Sequence, residues 1–303
     1  MKCVVTGGAG FIGSNLVDRL LADGNEVSVI DNYSSGKKEN CNKNAIYHDI
    51  DLSDTKKKSD IKNVLQSTEI VFHCAALARV QPSILDPIKY EVNNTIGTLN
   101  MLKCAVDMEV RRVVYSASSS VYGPTKKLPS TESDSPNPIS PYANQKYYGE
   151  LYCKMFSNIY PIETVSLRYF NVYGERQNLK GLYATVVGIF INQMLNNQCL
   201  TINGNGKQRR DFTYVKDVVS ANILASNSKQ VGKGEVINIG SGTNVSINTL
   251  ADSFGGTKKY LDAVCEPFAN LADIRKAKKL LDWEPTLDIL DWINDYKLLN
   301  GIK

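Results

Sequence analysis

The first 31 residues fix most of what this chain can become. Lys2–Thr6 is a short apolar run rich in β-branched residues, which predicts a buried strand. Gly7, Gly10 and Gly13 follow, three apart, in Gly-Gly-Ala-Gly-Phe-Ile-Gly. A helical pattern then runs from Phe11 through Ile12, Leu16, Val17 and Leu20 to Asp23, and a second strand, Glu26–Ile30, ends on Asp31. Glycines let a turn approach a pyrophosphate closely, and a helix N-terminus offers free N–H groups and a positive dipole end. A carboxylate at the tip of the second strand can bind both ribose hydroxyls and repels a 2′-phosphate. Strand, turn, helix, strand and acid in this order predict a dinucleotide site that takes NAD rather than NADP. Glycines that only packed a helix on a strand would leave Asp31 without a role.

Further along, apolar runs at Ala45–His48, Ile70–Cys74, Arg112–Ser116 and Glu163–Tyr169 predict strands. They alternate with predicted helices at Ile61–Gln66, Lys89–Met108 and Ala143–Asn158. Near-continuous apolar strands separated by helices make an α/β, doubly wound parallel sheet covered on both faces. After about Asn171 the rhythm loosens, and glycine-rich loops at Asn203–Lys207 and Gly240–Thr243 separate short elements. The reading is a dinucleotide-binding domain over 1–170 and a smaller, mainly substrate-binding lobe over 171–303. That lobe holds a helix at Tyr183–Asn196. A segment over about 211–240 returns to the main sheet, with a helix at Asp217–Ser226 and a strand at Val236–Ile239.

Composition excludes several function classes. A net charge of +4 is too mild to suggest nucleic acid, and the one dense basic run, Lys56–Lys58, suits a solvated helix or loop. Seven cysteines, none close to another in sequence, read as reduced cytosolic thiols without a disulfide framework or zinc site. Two histidines, His48 and His73, argue against a histidine-based metal centre, so no metal is expected. The chain opens on its first strand without a signal peptide or an apolar stretch long enough to span a membrane, so a cytoplasmic location is expected.

Two clusters in the middle carry chemistry. Val113–Gly123 is an apolar strand that runs into Ser116, Ser118, Ser119 and Ser120. In an open parallel sheet ligands bind beyond the carboxyl ends of the strands, so these hydroxyls point at the cofactor crevice. A serine-rich loop without function explains any one of them, but less readily the group at a strand end. Ser140-Pro141-Tyr142 then opens a helix on which Tyr142 and Lys146 lie one turn apart on the same face. A lysine ammonium, helped by a cationic nicotinamide, lowers the pKa of a nearby phenol and makes it a base near neutral pH. By itself that spacing is common; behind a dinucleotide site it becomes the main hypothesis.

These residues resemble the extended short-chain dehydrogenase/reductases, within the NAD-dependent nucleotide-sugar epimerase/dehydratase family. The resemblance covers nearly the whole chain, through Thr6–Ser14, Asp31–Gly36, Phe72–Leu77, Asn94–Leu99, Ser116–Gly123, Tyr142–Lys146, Arg168–Gly174, Arg210–Val218 and Leu271–Lys276. It implies a Rossmann-type sheet and a bound NAD. Gly7, Gly10, Phe11 and Ile12 would cradle the pyrophosphate. Asp31, Asn32, Ser35 and Gly36 would hold the adenosine ribose, and Asp49 and Ile50 would meet the adenine. Ala75 and Ala76 would line the middle of the cofactor, with Ser116 and Tyr169 near the nicotinamide and Lys146 on its ribose. Ser118, Tyr142 and Lys146 would be the catalytic set. Ser118, Ser119 and Tyr142 would meet the sugar, and Asn171 and Arg210 would grip the nucleotide diphosphate. A surface charge beside Arg209 remains open for Arg210, and a turn cap for Asn171.

The same scaffold supports several reactions. Dehydratases and decarboxylases of this kind carry a carboxylate just before Val-Tyr-Gly; here Ser119 and Ser120 stand there, so elimination lacks its acid and base. The resemblance therefore implies redox-neutral 4-epimerisation of a UDP-hexose through a 4-keto sugar. Asn270 stands where some epimerases carry a bulky tyrosine that excludes N-acetyl groups, which favours UDP-GlcNAc/UDP-GalNAc, with UDP-Glc/UDP-Gal as further substrates. Ala263 and Phe268 stand where relatives carry phosphate-binding arginines. A UDP-glucuronate 4-epimerase, another nucleotide-sugar oxidoreductase or dehydratase, and a non-catalytic NAD-binding regulator are the alternatives. Intact Ser118, Tyr142 and Lys146 weigh against the last. In relatives the helices matching Lys89–Met108 and Ala143–Asn158 pair across a two-fold axis, so a homodimer is expected; burial of both faces within one subunit is the alternative.

Overall fold

The computed structural model describes residues 1–301 apart from 126, 182 and 265. Seven parallel strands form its main sheet: β1 Lys2–Thr6, β2 Glu26–Asp31, β3 Ile46–Asp49, β4 Ile70–His73, β5 Arg112–Ser118, β6 Glu163–Tyr169 and β7 Lys233–Ile239. Their order is β7-β6-β5-β4-β1-β2-β3. The chain winds one way from β1 through β2 to β3 and the other way from β4 to β7. The crevice between the carboxyl ends of β1 and β4 is thus the topological switch point, where ligands bind in such sheets.

Alternation along each strand builds the core. Val4, Val71 and Val113 are buried on one face with Ile61, Leu65, Met101, Leu102 and Phe156, while Val5, Phe72 and Val114 are buried on the other with Leu16, Val17 and Trp283. Each such aliphatic side chain contributes about 1.5–3 kcal/mol on burial, which makes this two-faced sheet the rigid floor of the site.

The helices before the last strand of the sheet are α1 Phe11–Ala22, α2 Lys58–Leu65, α3 Val80–Leu85, α4 Pro87–Glu91, α5 Gly97–Asp107, α6 Pro141–Ile159, α7 Val186–Leu195 and α8 Val215–Asn227. The helix expected over Lys89–Met108 runs without a break from Pro87 to Asp107, with a π-helical turn at Val92–Ile96 between α4 and α5. The wider turn buries Asn94, whose Oδ1 accepts from the Leu77 amide at 2.7 Å and whose Nδ2 donates to the Leu77 carbonyl at 2.9 Å. That fixes the loop after β4. α6 starts two residues early because Pro141 follows Ser140, whose hydroxyl accepts from the Ala143 amide. α7 starts late, at Val186, and leaves Tyr183 in a loop.

A third apolar cluster, including Tyr173, Phe190, Leu200, Phe212, Phe254 and Trp292, lies among α7, short two-stranded pairs and the C-terminal helices α9 Ile247–Phe254 and α11 Ile289–Leu299, while α10 Arg275–Leu281 packs on the main sheet through Ala277 and Leu281. No helix among the described residues is long and apolar enough to cross a membrane, and no three of their His, Cys, Asp and Glu side chains are placed to hold a metal ion. Six cysteines are free thiols, and Cys265 lies outside the described residues.

Candidate active site

One cavity of about 800 Å³ runs from the carboxyl ends of β1, β2 and β4 across β5 and β6 to the third cluster. At its first end the glycine turn is packed backbone on backbone. Gly7 has φ +72°, and a Cβ there would sit 2.8 Å from the Ala75 backbone. A Cβ on Gly13 would stand 2.2 Å from the Gly7 carbonyl oxygen. Only glycine fits either place, so α1 begins directly under the turn, with Gly10 at its cap and no side chain covering its first amides.

Asp31 ends β2 over this turn. Its Oδ2 accepts from the Ala9 amide at 2.9 Å and its Oδ1 from the Tyr33 amide at 2.8 Å. Burial raises its pKa, and the two amides work against that. Each oxygen keeps lone-pair capacity toward the cavity, so the pocket fits the adenosine half of NAD. Asn32, Ser35, Gly36 and Ile50 line the same end. Asp49 does not. It closes the edge strand exposed to solvent and lies outside the cavity wall. Asp51 stands on the wall instead, held by the Ser53 amide and hydroxyl at 2.8 and 2.7 Å and by Asn32 Nδ2 at 3.1 Å. β3 is Ile46–Asp49 rather than the expected Ala45–His48, so Asp49 is held in the strand, paired with Asp31, with its side chain exposed.

At mid-cavity β5 and α6 bring the predicted catalytic residues together: Ser116, Ser118, Ser119, Tyr142 and Lys146 all line it, with Ala75, Ala76 and Tyr169. Ser118 Oγ accepts from the Ser120 amide at 3.2 Å and from Ser120 Oγ at 2.9 Å. A hydroxyl has two acceptor sites and one proton, so Ser120 fills the acceptors and leaves Ser118 to donate. Lys146 Nζ donates to the Ser116 carbonyl at 2.8 Å and stands 5.1 Å over the Tyr115 ring. Burial lowers this ammonium to about 8.

The phenol of Tyr142 corrects an expectation. Burial raises its pKa, and the Ser118 hydroxyl and the Arg79 charge pull it down without overcoming burial. The cation that opposes burial is Arg79, which no sequence pattern had marked. Tyr169 and Ser116 are tied to each other at 3.2 Å, and Asn222 Nδ2 on α8 donates to Tyr169 Oη at 2.8 Å. Asn222 was also missed, because only the fold brings α8 under β6.

Behind this centre Arg168 on β6 forms a two-bond pair with Glu150 on α6, at 2.8 and 2.7 Å, both side chains 3% exposed or less. Burial works against the Arg168 charge, but Glu150 outweighs it and holds the guanidinium above its ordinary range. The pair fastens the helix that carries Tyr142 and Lys146 to the sheet.

At the far end Asn171, Arg210 and Asn270 meet on the wall. Asn171 Nδ2 donates to the Asp211 carbonyl at 2.6 Å and to Asn270 Oδ1 at 3.2 Å. Both its N–H groups are thus spent, and the side chain offers a ligand only an acceptor, which does not suit a grip on phosphate. Asn270 Oδ1 also accepts from the Asp211 amide at 2.8 Å, while its Nδ2 makes no hydrogen bond among the described residues. Arg210 pairs with Glu266 at 2.8 Å and donates to the Phe268 carbonyl at 3.3 Å. Phe268, where an arginine was expected, is 66% exposed, so a carboxylate and a carbonyl face Arg210 here in place of further cations.

Known proteins resemble this chain along nearly its whole length. The model of the NAD dependent epimerase/dehydratase family matches residues 3–240. A putative UDP-glucose 4-epimerase of Methanocaldococcus jannaschii is 40% identical over 99% of this chain and 98% of its own. The structure of Thermotoga maritima UDP-glucose 4-epimerase with UDP-glucose is 36% identical, with a TM-score of 0.93 over 99% of this chain and 100% of that one. The UDP-N-acetylglucosamine 4-epimerase of Methanobrevibacter ruminantium, in complex with UDP-N-acetylmuramic acid, is 37% identical, with a TM-score of 0.91 over 99% of each chain.

Proposed function

The chain belongs to the NAD-dependent epimerase/dehydratase family, and on that premise we propose that it is a UDP-sugar 4-epimerase acting on the UDP-GlcNAc/UDP-GalNAc pair, with UDP-Glc/UDP-Gal as further substrates. It is an isomerase that uses NAD; the sugar is the finer step. The observation that carries the sugar assignment is Asn270. Its two free N–H donors face a cavity with no bulky aromatic at that position, which suits the carbonyl of a 2-acetamido group. UDP-glucuronate is the second reading, favoured by the serine run at 118–120.

The residues act as follows. The glycine turn and the start of α1 would hold the pyrophosphate, Asp31 the adenosine ribose, and Lys146 the nicotinamide ribose through the N–H groups not given to Ser116. When bound, NAD supplies a hydride acceptor and a positive ring charge beside the phenol. Tyr142 takes the proton from the hydroxyl on carbon 4 and returns it after the sugar has turned. Ser118, its acceptors filled by Ser120, donates to the same sugar oxygen. Arg210 reaches the diphosphate once it releases Glu266. Asn171 accepts from the substrate rather than holding phosphate. Residues 1–170 with the return segment 211–240 would form the cofactor domain, and the remainder of 171–303 the substrate lobe.

A cytoplasmic homodimer completes the reading. Tyr148, Leu151, Met155 and Ile159 form an exposed stripe on α6, and Leu85, Ile88, Val92 and Ile96 form another nearby. Such contiguous apolar surface is what a partner of the same kind would cover. Purified protein is to be incubated separately with UDP-GlcNAc, UDP-Glc and UDP-GlcA and each product read by NMR. Inversion at carbon 4 of UDP-GlcNAc is expected; no inversion of any of the three overturns the proposal.

A further inference from the structure

Arg79 is a cation that the reaction above leaves unused. It lies in the loop after β4, immediately before α3, and lines the cavity together with Tyr142 and Tyr183. Its backbone has φ +88°, a region that favours glycine, and contacts on both sides hold a long side chain there. Tyr90 Oη donates to the Ala78 carbonyl at 2.6 Å, and Arg79 Nε donates to the Tyr183 carbonyl at 3.2 Å. One turn into α3, Ser83 Oγ accepts from the Tyr142 amide at 3.2 Å. The helix that begins at Arg79 is thus bonded directly to the residue that handles the proton.

A guanidinium carries five N–H donors and keeps its charge as pH changes. Nε is used on Tyr183, and no carboxylate among the described residues pairs with the rest. Burial pushes Arg79 below its ordinary range, and the phenols of Tyr142 and Tyr90 are what oppose it. A half-buried charge without a counter-ion is an incomplete pair, and a phenolate at Tyr142 completes it. The other groups packed on the start of α6 bring no lasting charge. α3 has no ionisable side chain, and Lys89 and Glu91 on α4 are of opposite sign. Burial raises the phenols of Tyr90 on α4, Tyr115 on β5 and Tyr122 just after it, so all three stay neutral. Arg168 and Glu150 neutralise each other. Lys146, one turn along α6, gives Nζ to the Ser116 carbonyl and lies over the Tyr115 ring. Burial lowers it to about 8, so its charge fades as pH rises past that value.

We propose that Arg79 is the electrostatic partner of Tyr142: its charge stabilises the phenolate that accepts the proton of the carbon-4 hydroxyl, and it acts through that phenol without holding the sugar. This rests on the UDP-sugar 4-epimerase reading above and adds a residue to it.

The pH dependence of kcat and KM, for the UDP-sugar that wild type inverts, is to be compared in wild type, Arg79→Gln and Arg79→Lys, all loaded with NAD. kcat rises with pH as Tyr142 loses its proton in the complex. A nearby opposite charge lowers the pKa of an acid by about one unit or more, so in Arg79→Gln this limb moves up by about one pH unit and kcat below it falls about tenfold, with KM changed less than about threefold. Arg79→Lys keeps the charge and returns the limb toward its wild-type position. A limb that Arg79→Gln leaves in place overturns the inference. So does a rise in KM with kcat intact, the mark of a residue that holds the sugar. An unpaired charge does not support a fold, so Arg79→Gln folds; should it not, the charge serves the loop rather than the phenol and the inference falls. Should no UDP-sugar turn over, the epimerase reading fails by itself. The phenolate absorbance of Tyr142, taken as the difference from Tyr142→Phe in NAD-loaded protein, still decides the role of Arg79. Its midpoint rises by about one pH unit in Arg79→Gln, and an unmoved midpoint refutes that role.

Discussion

Glu150→Gln is the most informative single perturbation of the scaffold. It keeps shape and removes one charge from a pair whose members are both 3% exposed or less. Two charge-assisted bonds, at 2.8 and 2.7 Å, are weakened. Arg168 Nη1 already lacks a partner, so the guanidinium is left buried over the Tyr122 ring, 4.7 Å away, with no counter-charge. Breaking a buried pair from one side costs about 3–5 kcal/mol. At about 2.1 cal/mol/K of unfolding entropy per residue, 303 residues carry about 0.64 kcal/mol/K, so Tm falls by about 5–8 °C. Glu150 also lies one turn after Lys146 on α6, so activity falls as well. Differential scanning fluorimetry with urea titration measures the loss. In Glu150→Gln/Arg168→Met, where both charges are gone, most of the stability returns. A single-variant loss below about 1 kcal/mol, typical of a solvated pair, or a double variant no better than the single one, refutes the reasoning.

Two more perturbations follow from the same geometry. Gly13→Ala drives a Cβ onto the Gly7 carbonyl, so α1 is pushed off the turn; NAD affinity in equilibrium dialysis falls at least about tenfold, the equivalent of about 1.4 kcal/mol. His73 is buried between Thr6 Oγ1 at 2.7 Å and Thr98 Oγ1 at 2.9 Å, and burial lowers its pKa to about 3. The folded protein therefore keeps it neutral, the unfolded chain binds the proton first, and stability is lost as pH falls from 6.5 toward 3. The slope is about 1.4 kcal/mol per pH unit from this group, and urea titrations of His73→Gln should show it reduced.

The parts of this molecule legible in its sequence are those set by local rules. The strand–glycine–helix–acid unit, the serines ending β5 and the Ser-Pro-Tyr start of α6 each depend on neighbours within a few residues, and each lines the cavity as expected. What stayed hidden depends on distant contacts. The π-turn at Val92–Ile96 places Asn94 on the Leu77 backbone, a contact that no helical periodicity reports. The late start of α7 leaves the Tyr183 carbonyl for Arg79, about a hundred residues away in sequence. Asp49 was expected at the adenine from the family resemblance; it is instead the last residue of β3, held in the strand with its side chain exposed. Asn171 and Asn270 were legible as residues of the wall; the hydrogen bonds that decide which of their atoms remain free were not. Ala263 and Phe268 were read as missing cations, and the loop brings Glu266 onto Arg210 in their place.

Everything chemical in this account passes through the phenolic oxygen of Tyr142. The direct test is Tyr142→Phe, which removes that oxygen and keeps the ring. NAD retained through gel filtration is to be quantified after denaturation, and turnover of the substrate that wild type inverts is to be followed by NMR. NAD is expected to be retained at the wild-type level and turnover to fall by about 10²–10⁴-fold, the contribution of a positioned acid–base group. Turnover within a few-fold of wild type, with NAD still bound, contradicts it.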